Sequence, residues 1–115
     1  MLWLARCAFA LALVGVFAAA VVPPSEGPSL VPWDKANHFI AFYVLGGLGA
    51  ASFPRSRVLL VAGGLMAFGG AIELVQALPF VGRDAELWDW IADGVGVAAA
   101  LAPLALAWWR ARAAD

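Results

Sequence analysis

Three short stretches hold most of the residues capable of chemistry in this 115-residue chain: "WDKANHF" with Asp34, Lys35 and His38, "FGGAIELVQALPF" with Glu73 and Gln76, and "VGRDAELWDWIADGVG" with Arg83, Asp84, Glu86, Asp89 and Asp93. An imidazole among carboxylates suits acid/base chemistry or the holding of a divalent cation. Lys35 and Arg83 could bind an anionic headgroup or phosphate. Asp34 and His38 are spaced i, i+4, Glu73 and Gln76 i, i+3, and Asp89 and Asp93 i, i+4. On helices, each pair shares one face.

These residues are set in an apolar background. The chain is 64% hydrophobic and only 13% charged, with a mean hydropathy of +0.89, against about 45–50% apolar and about 25% charged in soluble domains. The composition points to an all-α integral membrane protein of one domain. The net charge of −1 says nothing about partners, but the lack of a basic stripe or of an aromatic-interleaved basic patch excludes a nucleic-acid partner. The single cysteine, Cys7, has no disulfide partner and reads as a small buried hydrophobe in the first apolar run.

Four runs match the length of about 17–25 residues that crosses a bilayer: residues 3–22, 36–53, 58–78 and 87–109. Pro23, Pro24, Pro28 and Pro32, then Pro54, then Pro79 punctuate the gaps, since proline lacks an N–H and disfavours helix in the residue before it. Pro103 lies within the fourth run and predicts a mild kink. The first run resembles a secretory signal peptide, but its charged leader is almost absent and Arg6 lies inside it, so a retained first helix is expected. The sequence thus predicts four transmembrane helices in an antiparallel bundle.

Arg6, Arg55, Arg57, Arg110 and Arg112 fall on one side of such a bundle, and only Lys35 and Arg83 on the other. The positive-inside rule then puts both termini in the cytoplasm. Trp3, Trp108 and Trp109 would mark the inner interface, and Trp33, Trp88 and Trp90 the outer one. This topology gathers every polar residue named above near the outer face, although sequence scatters them. Gly49 follows His38 and Phe42, Gly69 and Gly70 precede Glu73, and Gly96 and Ala100 follow Asp93 on the same faces. Small residues mark close helix approach in membranes, so the polar ends should point into the bundle. Glu73 would lie ~8 Å inside its helix end. A charge at mid-helix costs about 2.5–3.5 kcal/mol on insertion scales, so Glu73 and Asp93 need partners, with His38, Lys35 and Arg83 as candidates.

The four motifs "DKANH" (34–38), "ELVQ" (73–76), "GR" (82–83) and "DWIADGVG" (89–96) resemble, in order and separation, the VanZ-like family of small bacterial membrane proteins, named for a protein linked to teicoplanin resistance. The resemblance spans residues 34–96 and departs at Asp93, where the family usually has Asn. It implies a four-helix bacterial inner-membrane protein with polar residues toward the outer leaflet and a link to the cell envelope, without supplying a reaction.

Three function classes follow. The first is a protein that binds the headgroup of a membrane lipid or lipid-linked cell-wall precursor. Lys35 and Arg83 would hold phosphate, and Asp34, Gln76, Asp89 and Asp93 would line the pocket. The second is a hydrolase or transferase acting on a lipid-linked substrate, with His38 and Glu73 as catalytic groups. Its oxygen-rich site with one imidazole suits Mg²⁺ or Mn²⁺, and water is the nucleophile because no serine or cysteine lies near. The third is a structural subunit in which the same residues lock helices together: Gln76 as interhelical glue, Asp89 as a helix cap, Arg83 paired with Asp89 or Glu86, and Asp84 and Glu86 solvated. A transporter is disfavoured by the short chain without an inverted repeat.

Overall fold

The computed structural model describes residues 1–22, 33–54 and 57–115. Pro23, Pro24, Pro28, Pro32 and Arg55, named above as boundary and orientation marks, lie outside the described residues. The described residues form four α-helices and no strand: α1 (Leu2–Val21), α2 (Asp34–Ser52), α3 (Val58–Gln76) and α4 (Leu87–Ala113).

Local chemistry accounts for the boundaries. α1 is almost wholly Ala, Leu, Val and Phe, mostly favourable or tolerated helix residues in an apolar medium. α2 begins with Asp34, whose charge complements the positive helix end, and closes at Phe53 just before Pro54, the Phe53 N–H donating to the Gly49 carbonyl. After α3, Leu78 is extended, as the residue before a proline must be, and Pro79–Val81 make one 3-10 turn. Gly82 follows at φ 72°, in the left-handed region that glycine enters without penalty. α4 runs unbroken through Pro103 and ends with Arg110 and Arg112 in its last turn, where cations suit the negative helix end.

α1, α3 and α4 are long and apolar enough to cross a membrane, which makes the chain a multi-pass membrane protein. α2 matches them in length at 19 residues but is not among them. Asp34, Lys35, Asn37 and His38 crowd its first turns and lower its mean hydropathy, so the expectation of four equivalent spans holds for three. Large apolar side chains such as Leu59 and Leu74 face outward, 81% and 75% exposed. An apolar exterior of this kind is what lipid requires and water does not tolerate.

Consecutive helices alternate in direction, yet the most extensive contact joins the parallel pair α2 and α4. Gly96 allows it, because a Cβ there would run into the Phe39 carbonyl oxygen and come within 3.0 Å of the Tyr43 nitrogen. Gly46 does the same one layer on, where an added Cβ would stand 2.7 Å from the Ala100 Cβ. Phe42, Leu45, Leu65, Ile72, Val97 and Leu101 form the buried core between α2, α3 and α4. α1 has no fully buried residue and leans on this core through Phe9, Ala12, Leu13, Val16 and Ala20. Cys7 is exposed on its outer side rather than buried as expected.

A methyl group at Gly96 meets backbone atoms that cannot swing aside, whereas Gly63 has nothing within 4 Å of an added Cβ. Gly96→Ala should therefore lower stability by about 1–3 kcal/mol, the range for overpacking. Gly63→Ala should leave it unchanged or slightly raised. Thermal unfolding of both variants in one detergent checks the contrast.

Candidate functional site

The parallel contact of α2 and α4 brings His38 against two turns of α4. The His38 Nδ1 stands 2.7 Å from Asp93 Oδ1, and Asp93 is fully buried. On the opposite edge of the ring, Nε2 is 3.8 Å from Asp34 Oδ2 and 3.8 Å from Asp89 Oδ2. Nδ1–H donating to Asp93 fixes the ring and turns Nε2 toward the two other carboxylates. This is the way a buried carboxylate orients a ligating or basic histidine.

Glu73, from α3, completes the group. Its Oε2 accepts the backbone N–H of Glu86 at 3.0 Å, which ties the loop before α4 to α3. The ligand atoms of His38, Glu73 and Asp93 all lie within 4.8 Å of one another, and so do those of Asp34, His38 and Asp89. Small divalent ions such as Mg²⁺ and Zn²⁺ bind such oxygen and nitrogen ligands at about 2.0–2.2 Å, so two ligands of one ion stand up to ~4.4 Å apart. The 3.8 Å separations at Nε2 fall within that limit.

The cations of the site are already engaged. Lys35 Nζ donates to Glu86 Oε2 at 2.9 Å and stands 3.5 Å from Asp89 Oδ1. Arg83 sends Nε–H to the Val22 carbonyl at 2.7 Å and an Nη2 proton to the Ala19 carbonyl at 3.2 Å, with Asp34 Oδ1 4.0 Å from Nη1. Gln76 donates to the Ala20 carbonyl at 2.9 Å. The final carbonyls of a helix have no partner within it, so Gln76 and Arg83 together cap the end of α1. Gln76 therefore acts as the expected interhelical glue and does not line the space around His38. Arg83 pairs with neither Asp89 nor Glu86.

The remaining hydrogen-bonding capacity consists of acceptors. Glu73 Oε1, Asp89 Oδ1 and Asp93 Oδ2 are buried without a hydrogen bond. Asp93 Oδ2 occupies the notch left by Gly69, where a Cβ would come within 2.8 Å of it. Asp89 makes no cap hydrogen bond to the start of α4 and faces His38 and Lys35 instead. Five carboxylates (Asp34, Glu73, Glu86, Asp89 and Asp93) thus surround two permanent cations and one imidazole.

Sequence reasoning placed His38, Glu73, Asp34, Lys35, Asp89 and Asp93 together, and the structure does the same. It missed Glu86, read as a solvated loop charge, although its position three residues before Asp89 puts it on the same side of the entering helix. It also missed the groove of about 620 Å³ between α3 and α4, lined by Met66, Gly70, Ala71, Leu74 and Trp90 and ending at Glu73 and Glu86. The Trp90 indole, expected as an interface anchor, donates across this groove to the Met66 carbonyl at 3.0 Å.

No family model, no curated protein and no solved structure matches the chain.

Two outcomes test these roles. Asp93→Leu strands the buried His38 Nδ1–H and should lower stability by about 1–3 kcal/mol, while Asp93→Asn, whose amide oxygen can still accept, should lose less. Arg83→Leu should loosen α1 and cost about 1.5–3 kcal/mol, the range for hydrogen bonds from a charged donor. Unfolding midpoints in detergent report both.

Proposed function

We propose that this chain is a VanZ-like protein of the bacterial cytoplasmic membrane that crosses it four times with both termini in the cytoplasm. Its outer end binds the headgroup of a lipid or lipid-linked cell-wall precursor, and the physiological link is to glycopeptide (teicoplanin) susceptibility. The observation that carries this reading is the convergence of three distant polar motifs on His38, with the buried oxygens Glu73 Oε1 and Asp93 Oδ2 left as free acceptors. Free acceptors among an excess of carboxylates suit the hydroxyl or ammonium groups of a headgroup better than its phosphate. His38, Asp34 and Asp89 would make the contact, Lys35 would stand at the rim, and Asp93 and Arg83 would hold the arrangement in place. The small and apolar lining of the groove ending at Glu73 offers a seat for the attached chain.

α2 crosses in this reading because its polar turns face Asp89, Asp93 and Arg83 rather than lipid. The orientation rests on the arginines Arg6, Arg57, Arg110 and Arg112 at the other end of the bundle.

A second reading, a metal-dependent hydrolase or transferase acting on a lipid-linked substrate, is favoured by the His38–Asp93 pair and its ligand-like spacing to Asp34 and Asp89. Mg²⁺ or Mn²⁺ held there would polarise a phosphoryl oxygen and lower the pKa of a bound water. Asp93 would keep the ring in place, and Glu73 would accept the proton of the attacking water.

The deciding experiment measures binding of a lipid-linked cell-wall precursor to the purified chain, with and without Mn²⁺. Saturable binding without turnover, weakened roughly tenfold or more in His38→Ala and Glu73→Gln, is the expected result. Product release that requires Mn²⁺ would install the enzyme reading instead. Equal binding by wild type and both variants would leave the cluster a structural network and end both. In a bacterial host, expression should raise teicoplanin tolerance, and His38→Ala should abolish the effect at equal membrane abundance.

A further inference from the structure

A large cleft lies at the opposite end from His38, between the end of α2, the start of α3 and the last turns of α4. It encloses about 920 Å³ and has an apolar body that includes Phe53, Val61, Leu101 and Leu104. Arg57 and Arg112 line it as well, and no carboxylate does. Such a volume lies within the roughly 300–1,000 Å³ of ligand sites. Arg112 is held over the Trp108 ring, 4.6 Å from its centroid, and Trp108 and Trp109 also border the cleft.

Around this cleft the charge is one-sided. Arg6, behind Phe53, donates to the Ser52 carbonyl at 3.1 Å and lies 5.4 Å from the Phe53 ring. Arg110 follows in the same last turn of α4. Among the described residues, the acidic side chains Asp34, Glu73, Asp84, Glu86, Asp89 and Asp93 belong to the other end of the bundle, leaving Asp115 alone near this one. An apolar slot capped by two guanidinium groups at the level of a tryptophan pair matches one class of molecule in shape and charge. We propose that this cleft is a binding site for an anionic phospholipid, with an acyl chain between Leu101, Leu104 and Phe53 and the phosphate between Arg57 and Arg112.

Phosphate takes guanidinium donors in paired geometry, and tryptophans favour the headgroup boundary. Basic clefts between transmembrane helices recruit anionic lipids in the same way. The site is separate from the His38 cluster and does not depend on how that cluster is read.

Native mass spectrometry of the full chain in a neutral detergent tests it, with phosphatidylglycerol and phosphatidylcholine of the same acyl chains. Phosphatidylglycerol should be retained with a preference of roughly tenfold or more, as two arginines at one phosphate supply. Arg57→Gln and Arg112→Gln should each reduce the preference several-fold. Arg110→Gln, an equal change of charge outside the cleft, should leave it intact. Leu104→Trp should fill the slot and expel the lipid while His38-end stability stays constant. Equal retention of the two lipids, or an equal loss with Arg110→Gln, would overturn the proposal in favour of general surface charge. Displacement of phosphatidylglycerol by inorganic phosphate alone would overturn it in favour of a simple anion site.

Discussion

Gly96 lies against the backbone of Phe39 and Tyr43, and this contact sets the distance at which α2 and α4 run side by side. Because side chains project at fixed angles from a helix, this approach, less than one turn deeper than Asp93, determines what can meet above it. At that spacing a histidine on α2 reaches a buried aspartate on α4 in one hydrogen bond. Phe42, Leu45, Val97 and Leu101 then close the layer below. The polar end and the apolar core are therefore consequences of the same backbone contact. Gly69 extends this logic to α3, since only an absent side chain leaves space for Asp93 Oδ2 and the Phe42 ring together.

How the charged groups are arranged follows from their surroundings. Far from bulk water, each carboxylate must find a donor or a cation, and each cation an acceptor. Lys35 answers Glu86 and Asp89, His38 answers Asp93, and a backbone N–H answers Glu73. Arg83, however, is directed away to α1, where it caps the Ala19 and Val22 carbonyls. With that cation committed elsewhere, the centre is left with spare negative charge, and this surplus gives the His38 end its chemical character.

Much of this was legible in the sequence. Helical spacing paired Asp34 with His38 and Asp89 with Asp93, and alternation of apolar runs brought Glu73 to the same level. Gly96 and Gly69 stood out as small residues beneath charged ones. What could not be read were relations without a periodic signature. α1 is apolar on every side, so nothing in it announces that Gln76 and Arg83 will seek its last carbonyls. Gly49, named for close approach, meets Val61 of α3 and Phe9 of α1, while Gly46, which no spacing singled out, is the glycine that faces α4. Glu86 looked like a loop charge because its partner, Lys35, lies 51 residues away. The polar first turns of α2 were recognised, but their weight against its membrane-crossing character depends on the neighbours that shield them.

The capping of α1 by Gln76 and Arg83 also bears on the order in which the protein can assemble. These hydrogen bonds span 56, 61 and 64 residues. During synthesis, α1 emerges with its terminal carbonyls open and must wait for most of the polypeptide before they are satisfied. Until then its side-chain hydrogen bond among the described residues is the one from Arg6 to the Ser52 carbonyl, near its other end. The C-terminal end of α1 is thus fixed late, and a chain arrested before residue 83 would leave the Ala19 and Val22 carbonyls uncapped.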